Sequence, residues 1–454
     1  MTLTGAELAH VLVALGLLLI AAHGLGHIFV LLRQPRVIGE ICGGLLLGPT
    51  VLGALAPGVQ ADIFAEDAAT SAVLGAVYQL GLMLLMFASG AEMRSVFRRA
   101  DERVVAFVSV SGVVLPFVAG LLVFQILDSS ALIGTAQNET ALLLIFCLAI
   151  AVTSIPVISR IMFDLGIIET PFARVVLGVA VIEDVLVYIV LALALGMVSV
   201  TTGDEFGLPA VLGFESGGTA SMAFHVVATF AFFLLMLVPA PRGFRWARRK
   251  RWNVLARSNS IGYQLLFLFA ATVICIMLGL TPIFGAFLAG IAASAAIGPE
   301  SVQARAVIKD FSFALFVPIY FALVGLQLDL LDHFDPLFFI GFLLFACIAK
   351  SLSVFLGARL AGEPRNGATN LAIATNARGG PGIVLASAAF AAGIINQEFY
   401  ATLVMLAIVT SLIAGSWLGH VVRSGTPLRG PDDMSSPEQV PARPADPGSP
   451  TGST

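Results

Sequence analysis

Long apolar blocks, separated by short polar intervals, fill the chain from its first residues to about position 422. Thirteen of these blocks are long enough to cross a bilayer as helices, at about 7–32, 36–55, 72–93, 104–127, 140–163, 172–200, 219–240, 261–279, 281–298, 310–328, 336–358, 368–395 and 398–422. The pattern predicts an all-α polytopic membrane protein with about 13 transmembrane helices. Composition agrees: 58% of the 454 residues are hydrophobic and 11% charged, with a mean hydropathy of +0.97. An ordinary soluble domain is excluded. The start MTLTGAELAH lacks the basic residues of a secretory leader, so the first block is expected to stay as a helix.

Charge placement adds a topology. Basic residues occur in every second connection: Arg33 and Arg36, then Arg94, Arg98, Arg99 and Arg103, then Arg160 and Arg174, then seven between Arg242 and Arg257, then Arg305 and Lys309, then Arg359 and Arg365. The intervening connections hold acids, among them Asp62, Asp128, Glu139, Asp204, Glu205, Glu215, Asp329, Asp332 and Asp335. By the positive-inside rule the N-terminus lies outside, and thirteen spans put the C-terminus in the cytoplasm. Of 24 Lys and Arg, only Lys350 and Arg378 then fall within spans. The net charge of -4 leaves no footprint for nucleic acid. Cys42, Cys147, Cys275 and Cys347 all lie in apolar blocks without C-x-x-C spacing and read as small hydrophobes.

The chemistry lies where polarity interrupts the blocks. Glu183 and Asp184 stand together in VVLGVAVIEDVLVYIVLALALG, with about ten apolar or glycine positions on either side. One acid at the centre of a spanning helix costs roughly 2.5 to 3.5 kcal/mol, so an adjacent pair requires a partner or a polar cavity. Lys350, deep in its own block, is the natural partner for Glu183. Two blocks are broken. One carries Thr153, Ser154 and Pro156; the other carries Asn376, Arg378, Gly379, Gly380 and Pro381. With six spans on each side of a linking seventh, these breaks occupy equivalent positions, and FASGAEM with Gly90 echoes FALVGLQL with Gly325. Paired broken helices predict an inverted repeat with its binding site at their crossing.

Other features suit packing or anchoring. His23 and His27 lie one turn apart without a third ligand, which favours interhelical hydrogen bonding over a metal. The run RGFRWARRKRW reads as an interfacial anchor open to anionic lipid. Beyond about residue 424 the chain is Pro-rich and polar, a disordered cytoplasmic tail over 424–454.

The stretch QPRVIGEICGGLLLGPTVLG (34–53) resembles the opening signature of the second group of monovalent cation:proton antiporters, which includes bacterial sodium/proton antiporters and the membrane part of glutathione-gated potassium efflux systems. LGLMLLMFASGAEM, AVTSIPVISRIMFDLG, VAVIEDVLVYIVLA, LTPIFGAFLAGIAAS, FVPIYFALVGLQL and NARGGPGIVL follow in the family's order, over residues 11 to about 422. The resemblance implies a secondary active transporter rather than an enzyme, with no cofactor. It would exchange Na+, K+ or Li+ for protons by alternating access in the inner membrane, as a homodimer among membrane lipids. Asp184 matches the acid that binds cation and proton in turn, as a transient monovalent metal site. Glu183 matches its neighbour, Lys350 the lysine paired with that neighbour, and Thr153 and Ser154 the broken-helix positions beside the ion. Glu183 departs from the more usual Asp, which bears on stoichiometry; a net charge movement per cycle is expected. The implied division is a transmembrane domain over 1–423, with a core at about 104–200 and 336–422, a dimer scaffold at about 7–93 and 261–328, and a linker helix at 219–240. The short tail argues against glutathione or nucleotide gating. Two rival readings are a gated passive cation channel and, ranked lower, an organic-solute/proton exporter.

Overall fold

The computed structural model describes residues 3–32, 34–64, 68–96, 102–168, 170–199, 207–211, 219–250, 253–296 and 298–429. The expected disordered tail past Arg429, and loop charges including Arg33, Arg98, Arg99, Asp204, Glu205, Glu215 and Arg251, lie outside the described residues. Within them the regular elements are all helices, with one isolated bridge, Ile133 to Ile395.

The principal helices are α1 (Gly5–Leu31), α2 (Arg36–Leu47, continued by a π turn at Pro49–Gly53), α3 (Ala68–Val96), α4 (Glu102–Phe124), α5 (Glu139–Ala151), α6 (Ile155–Asp164), α7 (Pro171–Ser199) and α8 (Thr219–Leu237). After these come α9 (Pro239–Arg249), α10 (Ser260–Met277), α11 (Pro282–Ala293), α12 (Pro299–Leu326), α13 (Pro336–Leu360), α14 (Arg365–Ala374), α15 (Gly379–Ala391) and α16 (Gln397–Arg423). Starts are marked by side-chain caps on orphan amides: Thr4 with Glu7 forms a capping box, Asn138 caps Ala141, Asp335 caps Leu337 and Phe338, and Asn396 caps Phe399.

Among the described residues nine helices are long and apolar enough to cross a membrane, or ten when α8 and α9, bent by 42°, count as one span. The other three expected spans hold shorter pieces. Residues 140–163 break into α5 and α6, residues 368–395 into α14 and α15, and 281–298 holds α11, all of them 10 to 13 residues long. Thirteen helical residues reach only about 20 Å of a hydrocarbon layer of about 30 Å. The first two of these spans are the blocks expected to be broken; 281–298, which holds only a short helix, reads in the sequence as a full span.

Internal repetition is visible in the packing. The second expected span, α2, crosses the tenth, α12, and the third, α3, crosses the ninth, α11. Exchanging spans one to six with eight to thirteen turns one crossing into the other. Both crossings are glycine contacts: a Cβ on Gly44 would overlap the Ala322 backbone and one on Gly325 that of Ile41, while Gly90 and Gly290 meet Phe287 and Phe87 in the same way. No larger residue permits that approach.

In the other half of the molecule α4 packs on α13, and α7 packs on α4, α5 and α6. α7 is the most enclosed long span, 78% of its apolar window buried, so its acids face protein and not lipid. The loop before α5 and the turn after α15 are laced together by Gly134 N–H to Ile394 O, Ala136 N–H to Gly393 O and Asn396 N–H to Leu132 O, at 2.8 to 3.0 Å. This fixes the two broken spans relative to each other. Residues up to Arg429 fold back onto the start of α14, where Arg429 pairs with Glu363 and Asn370 donates to Leu428 O.

Candidate functional site

The two breaks lie side by side. Thr153 donates its hydroxyl to the Thr375 carbonyl, and Ser154 N–H donates to Ala377 O at 2.7 Å. Ser154 Oγ accepts from Val157 N–H at 3.3 Å and from Gly380 N–H at 3.1 Å, so a single hydroxyl caps the first turns of both α6 and α15. Gly379, at φ +25°, stands where a Cβ would strike the Val157 side chain, so the close crossing requires glycine there. Pro156, in the first turn of α6, and Pro381, buried in the first turn of α15, occupy positions where a missing N–H costs nothing.

A helix ending inside the protein leaves carbonyls that need donors. At the end of α5, Leu148 O takes Val152 N–H. Arg378 supplies Ala149 O through Nε and Ile150 O through Nη2, both at 3.0 Å, and Lys350 supplies Ala151 O at 2.5 Å. Arg378 also donates to Ala346 O, Asn376 O and Asn376 Oδ1, which engages all five of its N–H groups. A fully buried guanidinium is thereby satisfied by neutral acceptors. Asn376 is held in turn by Ser351 Oγ at 3.1 Å.

Lys350 lies 2.8 Å from both Glu183 oxygens, the pairing expected from the sequence, and donates as well to Gly112 O at 2.9 Å. With Ala151 O these acceptors use its three protons. Thr153 lies beside Glu183. Asp184 differs. It is fully buried, its two oxygens have no hydrogen-bond partner among the described residues, and the charged groups acting on it are Glu183 and Lys350. One acid is saturated by its cation and the adjacent one is left with open lone pairs.

Several contributors had no separate signal in the chain. Thr410 and Ser411 of α16 accept from Arg378 N–H and Gly379 N–H at 3.4 and 3.2 Å. They occupy, in the thirteenth expected span, the place that Glu183 and Asp184 hold in the sixth, and a hydroxyl pair inside an apolar block was the available clue. Gly112 matters through what it lacks: a Cβ there would lie 2.8 Å from Glu183 Oε1. Away from the crossing, His23 donates through Nε2 to Ala314 O at 2.9 Å, an interhelical hydrogen bond. No group of three or more metal-ligating side chains occurs among the described residues. Glu40 is buried and pairs with Arg36 at 3.1 Å.

Comparison with known proteins adds an independent line. The chain is 28% identical over 411 residues to Cation/H(+) antiporter 20 of Arabidopsis thaliana, covering 88% of this chain and 47% of that protein, so it spans about half the plant protein's length. It is 28% identical over 423 residues to Na(+)/H(+) antiporter NhaS4 of Synechocystis, covering 89% and 94% of the two chains. Its fold matches the sodium proton antiporter MjNhaP1 of Methanocaldococcus jannaschii at a TM-score of 0.57 and 16% identity, over 92% of this chain and 99% of that one. A family model described as sodium/hydrogen exchanger, transmembrane, matches residues 15–424, almost the whole described structure. By that match, and by the broken crossing spans it covers, this multi-pass membrane protein belongs to the transmembrane sodium/hydrogen exchanger family.

Proposed function

We propose that the chain is a secondary transporter that exchanges a monovalent cation, Na+ or K+, for protons by alternating access, with Asp184 as the exchanging carboxylate. The observation that carries this reading is the pairing of a saturated Glu183 with an unpartnered, buried Asp184. A buried anion without a partner is strongly unfavourable, and it is relieved either by a proton or by a hard cation. One pair of oxygens serves both, so the two compete. The reoriented state then carries a neutralised Asp184 in either direction, and a bare carboxylate does not cross. Coupling follows from that restriction. The relatives, a cation/H+ antiporter and a Na+/H+ antiporter by name, support the same class.

Glu183 and Lys350 form the second element. In the cycle we favour, Lys350 is protonated as the cation leaves, so two protons exchange per ion and one net charge moves, sensitive to voltage by about 2.3 kcal/mol per 100 mV. Thr153 and Ser154 hold the crossing and bring its backbone to the ion. The membrane is the cytoplasmic one, with the N-terminus outside and the C-terminus inside as the basic loops indicate, the working unit is a homodimer, and α9 rests on lipid headgroups.

The test uses everted vesicles or proteoliposomes with a pH-sensitive dye, challenged in turn with NaCl, KCl and LiCl. Wild type is expected to show a cation-induced pH change and Asp184→Asn none. An active Asp184→Asn protein refutes the assignment. Strictly electroneutral exchange in voltage-clamped proteoliposomes removes the two-proton cycle, and currents that reverse at the cation's own equilibrium potential point to the channel.

A further inference from the structure

One turn beyond Asp184 on α7, and on the same helix face, stands Tyr188. It is 1% exposed, its ring lies 4.5 Å from Phe287 of α11, and its hydroxyl has no hydrogen-bond partner among the described residues. Four of the chain's five tyrosines gather in this direction. Tyr320 of α12 lies 5.0 Å from Tyr78 of α3, ring to ring, and stands near Tyr188 and Tyr400. Ser387 of α15 faces Tyr78, Tyr320 and Tyr400. Tyr400 of α16 stacks on Phe390 at 4.7 Å and donates to Val324 O of α12 at 3.2 Å. The fifth tyrosine, Tyr263, stands apart and donates to Phe244 O.

Packing alone does not account for this group. Its neighbours are phenylalanines, and phenylalanine would fill the same space without burying a hydroxyl. The Tyr188 hydroxyl, 1% exposed, is unpartnered among the described residues, while the buried Tyr320 and Ser387 hydroxyls interact with each other and with those of Tyr78 and Tyr400. A string of buried hydroxyls with an unsatisfied one at its head marks a place for water or an ion. The string begins beside the open lone pairs of Asp184. It runs between α3, α11 and α12 on one side and α7, α15 and α16 on the other, toward the C-terminal end of α7.

We propose that Tyr188, Tyr320 and Ser387, with Tyr78 and Tyr400, form a hydroxyl-lined transit site that takes a partly dehydrated monovalent cation, or the water carrying a proton, between Asp184 and the side opposite the basic loops. Hydroxyl oxygens are suited to this work because they ligate a hard cation without trapping it as a carboxylate would. This rests on the exchange reading for its transport arm only.

Two measurements decide it. In a variant with all four native cysteines replaced, Ser387→Cys is exposed to a membrane-impermeant cationic methanethiosulfonate reagent, added separately to right-side-out and inverted vesicles. Labelling from the face opposite the basic loops is expected; no labelling from either face, or labelling from the basic-loop face alone, overturns the proposal, whether or not the protein exchanges ions. In the native background, Tyr188→Phe/Tyr320→Phe is expected to slow cation-driven proton movement at least tenfold with an unchanged melting temperature, while Tyr263→Phe runs at the wild-type rate. A double variant as fast as wild type also overturns it. Wild type that exchanges no ions, with Ser387→Cys labelled as expected, removes the exchange reading and leaves the route standing.

Discussion

The two half-helices that end inside the protein, α5 and α14, solve one problem by different means. The last three carbonyls of α5 are taken by the N–H groups of two cationic side chains, Arg378 and Lys350. The end of α14 closes on itself: Leu371, Ile373 and Ala374 carbonyls accept from the amides of Thr375, Asn376 and Ala377, and the Thr375 hydroxyl bonds back to Leu371 O. Among the described residues, the Thr153 hydroxyl and the Ser154 amide are what reach it from across the crossing. The helices that follow differ in the same sense, with α7 bearing Glu183 and Asp184 and α16 bearing Thr410 and Ser411 at the equivalent place. An inverted repeat thus supplies the backbone device twice, and charge gathers at one of its two half-helix ends, reached by Arg378 and Lys350 from the second repeat. In the proposed cycle the charged end carries the exchange and the neutral end holds it in register.

Removing charge from the α5 end should therefore cost far more than removing a hydroxyl that supports the α14 end. The largest effect is expected for Arg378→Gln. It strands Ala149 O and Ile150 O in the buried crossing and loses the anchor on Asn376; buried orphans at about 1–3 kcal/mol each, added to lost charged hydrogen bonds, approach the net stability of a typical domain. Detergent extracts should yield little monodisperse protein by size exclusion. Lys350→Ala comes next. It leaves Glu183 buried without its cation, which typically costs about 3–5 kcal/mol. A lowered melting temperature is expected, largely recovered by adding Glu183→Gln; a double variant no better than the single would show that the ion pair is not what Lys350 supports.

A finer comparison concerns acid length. Glu183 reaches Lys350 across the space left by Gly112, and Gly112→Ala would press on Glu183 Oε1 and on Val354, whose Cγ2 would lie 3.1 Å from the added methyl. Overpacking of this kind costs about 1–3 kcal/mol. In a Glu183→Asp background the shorter side chain withdraws, and the same glycine substitution should cost measurably less in a thermal melt. Equal losses in the two backgrounds would place the strain on Val354 instead.

Much of this arrangement was legible in the sequence because a membrane makes polarity conspicuous. Glu183, Asp184, Lys350 and Arg378 stand out in apolar blocks, and Lys350 has one sensible partner. The two breaks are legible because Pro, Gly and hydroxyl residues interrupt helices in matching places. What hydropathy does not carry is the direction of a side chain. Arg378 looked like part of a break, whereas its guanidinium crosses to α5, and no local pattern specifies which carbonyls it will meet. Gly112 is one of 45 glycines, and its meaning depends on a residue 71 positions later. The tyrosines, spread over α3, α7, α12 and α16, form a group only once those helices are assembled. The count of thirteen spans is not confirmed: nine or ten helices among the described residues are long enough to cross alone, two expected spans are pairs of short helices at the breaks read from the sequence, and α11 has only 12 residues.

The smallest expected effect belongs to the support of the neutral α14 end. Thr153→Val keeps the shape of the side chain and removes the hydrogen bond to Thr375 O, while the Ser154 amide still holds Ala377 O and the turn after α14 keeps its own backbone bonds. With those remaining supports the loss should be about 1 kcal/mol, visible as a small fall in melting temperature with folded protein recovered in normal yield. Because Thr153 also lies beside Glu183, the variant separates two contributions. If its only task is to join the breaks, exchange falls in proportion to stability. If its oxygen also serves the acid pair, exchange falls further while the melt hardly moves. A destabilisation as large as that of Lys350→Ala would break the comparison, since the second half-helix would then depend on one hydroxyl as heavily as the first depends on a cation.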